Sequence, residues 1–291
     1  MGIIQNYKFD PYKIITILPN GNNFIIDYKL ALEKYSKAIY DFVGLVKQSS
    51  TSAELLEQIR SISIDKDTRM SYLKLFRRLV CSSLDTELSK KIKKVSTDEI
   101  VENFGDFFLD IQLLKDFLEK DFNHEHLLSL ACLLAEYDKR GESGYQLTDL
   151  FFNEITKLYP HFQILGPQRA GSDIELNTIY PNFQGGNFPC DFVIIEKMTQ
   201  QIRAVGFCRY DSTRGGAQSD DRTSGNSQKV SQIKNHFNRT KEVIKLLFVS
   251  DGPGMAHNDT WEETLRLDIS WEDNVRVTSL KIVNEVTKGW L

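Results

Sequence analysis

The chain has 291 residues, 41% of them hydrophobic and 26% charged, with a formal net charge of −4. That length supports one large domain or two ordinary ones, and the composition is that of a soluble globular protein. The acidic balance excludes a protein that coats nucleic acid over its whole surface, while leaving room for a local basic face.

The opening MGIIQNYKFDPYK lacks the charged-then-apolar pattern of a secretory signal, and no apolar run approaches membrane-spanning length. The four cysteines, Cys81, Cys132, Cys190 and Cys208, have no CxxC spacing, which argues against a zinc cage. The expectation is a cytoplasmic protein with reduced thiols.

The first half is helical in pattern. Tyr28, Leu32, Tyr35, Ile39, Phe42 and Val46 recur at the spacing of one buried helical stripe. Thr51 with Glu54, and Ser96 with Glu99, read as capping boxes that open further helices. A Leu-rich helix is predicted from about His124 to Lys139, closed by Gly141, and only Pro11 and Pro19 precede residue 160. The adjacent His124, Glu125 and His126 point apart on such a helix and read as its start. These features predict a helical N-terminal domain over 1–142, with the boundary near 140–145.

The second half changes character. GYQLTDLFFNEITKLYP reads as an amphipathic helix ending at Pro160, followed by β-type runs at 190–195, 201–208, 245–250 and 275–283. A helix is predicted at about 228–243. This order predicts an α/β core with a mixed sheet flanked by helices over 143–291. Trp261, Trp271 and Trp290 are expected in its core.

Asp191 follows the turn GGNFPC and opens an apolar strand, a position that suits either a metal ligand or a turn cap. Strand alternation puts Ala204, Gly206 and Cys208 on one face, and Val205, Phe207, Arg209 and Asp211 on the other. Arg209 and Asp211 thus share a strand end, either as metal ligand and charge stabiliser or as a plain ion pair. From Arg203 to Lys245 there are nine basic and four acidic residues, a net +5 in a chain whose total is −4. That segregation around a Gly-rich loop suits phosphate contacts from Lys229 and Lys234, against the alternative of a solvated charged loop. Arg214, Gln218 and Arg222 carry side chains able to bond base edges bidentately. SDGPG at 250–254 follows a strand without the Walker Lys-Ser/Thr, so it reads at least as well as a chain reversal.

The helix at 146–158, Asp191 opening DFVII, a second strand running into RYDSTRGG, then a helix and KLLFVSDGPG together resemble the catalytic core of type II restriction endonucleases of the PD-(D/E)XK nuclease superfamily. The nearest likeness is to the GATC-cutting branch, and it covers about residues 144–285. The resemblance implies Mg²⁺-dependent, site-specific hydrolysis of double-stranded DNA, with Asp191 as the first motif aspartate. It places the family's acid and lysine at Gly206 and Cys208, which can supply neither. Asp211 and Arg209 are expected to take over, with Asp211 joining Asp191 at the metal and Glu154 or Asp149 helping from the helix. An acid from Asp173 or Glu175, or an inactive copy, are the alternatives. The family further implies a homodimer on a palindromic site, with the N-terminal helical region serving dimerisation, DNA clamping or both, and a cognate DNA methyltransferase in the same system. The alternatives are a nicking or repair nuclease of the same fold and a sequence-specific DNA-binding protein without catalysis.

Overall fold

A computed structural model of the chain describes residues 2–18, 24–139, 142–167, 171–212 and 218–291. Two compact units divide the chain, Asn20–Arg140 and the pair of segments Met1–Pro19 with Gly141–Leu291. The first 19 residues thus go with the sheet-bearing unit rather than with the helical one, against the expected 1–142 helical domain.

The helical unit contains α1 (Phe24–Gln48), α2 (Ser52–Ile59), α3 (Lys66–Leu79), α4 (Thr86–Ser89), α5 (Thr97–Phe104), α6 (Ile111–Lys120) and α7 (His124–Lys139). Along α1 the stripe Tyr35, Ile39, Phe42 and Val46 is buried, packed mainly against α7 and α3. Thr51 caps α2 by accepting the Glu54 N–H at 3.0 Å, and Glu54 reaches back to the Ser50 N–H at 2.6 Å. Ser96 caps α5 likewise through the Glu99 N–H at 3.0 Å. At the start of α7, Asn123 accepts from the Glu125 and His126 N–H groups, and the His126 ring stacks on Phe122.

The second unit is mixed α/β. It runs α8 (Glu142–Leu158), β1 (Phe162–Leu165), β2 (Ile174–Glu175), α9 (Leu176–Ile179), β3 (Pro189–Cys190), β4 (Phe192–Glu196), β5 (Ile202–Tyr210), α10 (Gln218–Thr240), β6 (Leu246–Asp251), α11 (Asn258–Asp268), β7 (Val275–Thr278) and α12 (Val283–Thr287). The main sheet has the order β1-β4-β5-β6-β7. Its first three strands pair antiparallel, whereas β5, β6 and β7 pair parallel through the crossovers α10 and α11. The inner strand β6 is buried at Leu246, Leu247, Phe248 and Val249, as a parallel strand covered on both faces requires.

Two expected elements differ. The run 275–283 leaves the sheet after Thr278, because Asp251 accepts the Leu280 N–H at 2.9 Å and the Ser279 hydroxyl donates to the Ile14 carbonyl. The crossover helix begins at Gln218 rather than near 228, since its polar first turns carry no apolar stripe to announce it. Of the tryptophans, Trp261 and Trp290 are buried and Trp271 is half-buried against Phe237.

Candidate active site

The β4–β5 hairpin is in the register Phe192↔Gly206 and Val193↔Val205. Phe192 turns toward α8, where its ring centroid lies 4.9 Å from that of Phe151. A Cβ at Gly206 would strike that Phe192 ring at 2.1 Å and the Leu247 carbonyl oxygen at 2.4 Å. Thr148, also on α8, acts on the Cys208 thiol, lowering its pKa against the rise that burial causes. Gly206 and Cys208 therefore face α8 and a filled core. The position expected for an acid has no room for one.

Asp191 precedes Phe192 by one residue and turns the other way, toward α10. Its Oδ2 accepts the Cys208 backbone N–H at 2.8 Å, which orients the carboxylate, and no hydrogen bond occupies Oδ1 among the described residues. Burial raises its pKa above the ordinary carboxylate range, countered by the Cys208 N–H and the Lys229 cation and reinforced by Asp173. Lys229 lies on α10 with its ammonium 3.6 Å from the Phe207 ring centroid, a cation–π contact. Burial depresses the Lys229 pKa, and Asp191 opposes that shift more than any other neighbour. Asp191, Phe207, Cys208, Arg209, Asn226, Lys229 and Ser250 border one cleft of about 410 Å³.

Lys229, expected as a phosphate contact in a basic stretch, borders the same cleft as Asp191 and is attracted by it. The available signal was its spacing, one turn before Ile233 and two before His236, both fully buried. A lysine on the apolar stripe of a helix is held there by an anion or an aromatic face. Here it has both.

The other expected residues distribute differently. The Arg209 Nε donates to Asp211 Oδ1 at 2.7 Å, and Asp211 is only 6% exposed. Its backbone is clamped too, its N–H bonding the Asp251 carbonyl at 2.8 Å and its carbonyl accepting the Gly254 N–H at 2.7 Å. Asp211 lines a neighbouring polar pocket with Thr260, Glu263 and Thr264, and not the cleft of Asp191. Arg209 borders both, and its Nη2 lies 2.7 Å from Asp211 without an aligned hydrogen bond. The expected shared metal at Asp191 and Asp211 is thus replaced by an ion pair at a strand end.

Glu154 is half-buried on α8, the helix on the opposite face of the sheet, and does not border the cleft; neither does Asp149 on the same helix. Lys234 donates to the Ser270 carbonyl at 2.6 Å and ties α10 to the turn after α11, a structural contact in place of the expected DNA contact. Arg214 lies outside the described residues, and the side chains of Gln218 and Arg222 do as well. Glu175 accepts the Phe188 N–H at 3.2 Å and serves the β2–β3 turn, so of the alternative acids Asp173 alone acts on Asp191.

The SDGPG segment is a chain reversal. Gly252 takes φ 103°, and a Cβ there would meet the Asp211 carbonyl oxygen at 2.5 Å. Asp251 is fully buried and accepts the N–H groups of Thr16, Gly252 and Leu280 at 2.6, 2.8 and 2.9 Å.

No cluster of three metal-ligating side chains occurs among the described residues. Magnesium nevertheless needs few protein donors, keeping several waters and taking one or two carboxylates with substrate phosphates. Asp191, with an oxygen to spare at the edge of the cleft, can supply one such carboxylate; Asp173 raises its pKa but does not border the cleft. No protein-family model matches the sequence, and no match is found among curated proteins or solved structures.

Proposed function

We propose that the chain is a magnesium-dependent, site-specific endonuclease for double-stranded DNA, with the cleft of Asp191 and Lys229 as its active centre. The observation that carries this reading is a half-buried carboxylate and a half-buried ammonium bordering one cleft, each favouring the other's charged form. Oppositely charged groups with pKa values displaced by burial, set in a cleft, mark functional sites more often than surface pairs do.

Asp191 is the group that would hold the ion, with substrate phosphate oxygens and water completing its shell. Bound there, magnesium supplies positive charge against the phosphate and lowers the pKa of water for attack on phosphorus. The Cys208 N–H fixes the orientation of Asp191. Lys229, seated on Phe207, opposes the negative charge that develops on the phosphoryl oxygens. Arg209 borders the same cleft and is placed to bind a neighbouring phosphate while Asp211 holds its Nε. Arg214, Gln218 and Arg222 remain the groups proposed for base edges. A homodimer on a palindromic site, a methyltransferase encoded alongside and a cytoplasmic location go with this reading.

Incubation with mixed DNA and Mg²⁺ tests it. Fixed fragments are expected, and Asp191→Ala should abolish them while leaving DNA binding largely intact. Lys229→Ala should slow cleavage by on the order of 10²–10³-fold. Full activity of Asp191→Ala would remove the site.

A second reading is a sequence-specific DNA-binding protein without catalysis. It is favoured by the turning of position 206 into the core beneath α8, where the motif acid has no room. DNA that is shifted but intact in the same assay would establish it.

A further inference from the structure

The helical unit carries SKKIKKVS at 89–96, four lysines within five residues. Lys91, Lys93 and Lys94 are exposed, while Lys90 pairs with Glu87. Beneath this turn lies Arg60, only 5% exposed. Its Nε donates to the Ser89 carbonyl at 2.9 Å, its Nη1 to Thr97 Oγ1 at 2.8 Å, and its Nη2 to the Val95 carbonyl. One buried guanidinium therefore clasps both ends of the lysine turn. Arg69 donates to the carbonyls of Ser61 and Ile64, and its Nε is buried without a hydrogen-bond partner. Among the described residues neither guanidinium forms an ion pair with a carboxylate; Arg60 is repelled by Arg69 and, to a lesser degree, attracted by Glu99. Ile62, Arg69 and Lys90–Lys94 border a single depression.

Three exposed lysines set over a buried guanidinium whose hydrogen bonds all go to neutral oxygens concentrate like charge, and a bound polyanion relieves it. Flexible lysine stems are point charges without the planar fork that reads base edges, so they suit phosphate rather than sequence. We propose that the Lys90–Lys94 turn binds the phosphate backbone of duplex DNA, independently of base sequence. The identity of the polyanion rests on the DNA-directed reading above; the presence of an anion site does not.

Binding of the full chain to a short labelled duplex, followed by fluorescence anisotropy in EDTA from about 50 to about 200 mM salt, tests the proposal. The variant Lys91→Ala/Lys93→Ala/Lys94→Ala should reduce the slope of log affinity against log salt by about 2–3, near 0.9 per lost phosphate contact. Its affinity at the lower salt should fall about tenfold or more, while its thermal melt stays that of the native chain because the three side chains are exposed. An unchanged slope and affinity would overturn the proposal, as would a native chain that binds no duplex. Vesicles of phosphatidylserine and phosphatidylcholine are the counter-probe: loss of vesicle binding with duplex binding preserved would reassign the turn to lipid. Loss of duplex binding in the variant, with no cleavage by native protein in Mg²⁺, supports this site and sinks only the endonuclease reading.

Discussion

A Cβ at Gly206 would lie 2.1 Å from the Phe192 ring and 2.4 Å from the Leu247 carbonyl oxygen, so the residue is glycine for want of space. Restoring the acid that the nuclease resemblance expects is therefore predicted to harm the protein. Gly206→Asp should lose about 1–3 kcal/mol or more of stability by overpacking, with no gain in DNA cleavage. Denaturant melts and a cleavage assay check both halves, and a stable variant with raised activity would contradict them. The sequence showed Asp191 at the mouth of a strand, and alternation separated Arg209 from Cys208. It could not show that Arg209 and Asp211 form an ion pair, because a two-residue spacing is equally compatible with a ligand pair and an ion pair.

At the scale of elements, the end of β6 is organised by one buried carboxylate. Asp251 gathers N–H groups from residues 16, 252 and 280, joining the N-terminal segment, its own turn and the exit from β7. Asp251→Ala should cost about 3 kcal/mol or more, since three buried donors lose a charged acceptor together. Asp251→Asn, which keeps one acceptor oxygen, should cost less. Equal stability of Asp251→Ala and native protein in urea would refute this role. Periodicity revealed the helices and the apolar strands, but not this junction. Nor did it reveal the first turns of α10, where polar residues leave no stripe to count.

For the whole molecule, the first 18 residues belong to the mixed α/β unit through many contacts. Ile4, Ile14, Ile15 and Leu18 are buried in its core. Gln5 donates to the Leu265 carbonyl at 2.7 Å, Trp261 Nε1 to the Lys8 carbonyl at 2.8 Å, and Tyr210 to the Thr16 carbonyl at 3.1 Å. A fragment of residues 143–291 should therefore fail to unfold cooperatively, whereas adding residues 1–18 through a linker should restore a sharp transition. A fragment as cooperative without the segment as with it would show that the segment is an appendage.

The sequence by itself determined the class of fold, the helical character of the first half, the β4–β5 hairpin and the prominence of Asp191. These follow from local periodicity and from turn chemistry, which act over a few residues. Tertiary structure alone decided that Lys229 shares a cleft with Asp191, that Arg209 and Asp211 form an ion pair, and that the N-terminal segment completes the second unit. Each of those depends on where distant backbone comes together: 38 positions separate Asp191 from Lys229, and 235 separate Thr16 from Asp251. Burial then sets the outcome, because a charge removed from water must find a partner wherever the fold supplies one.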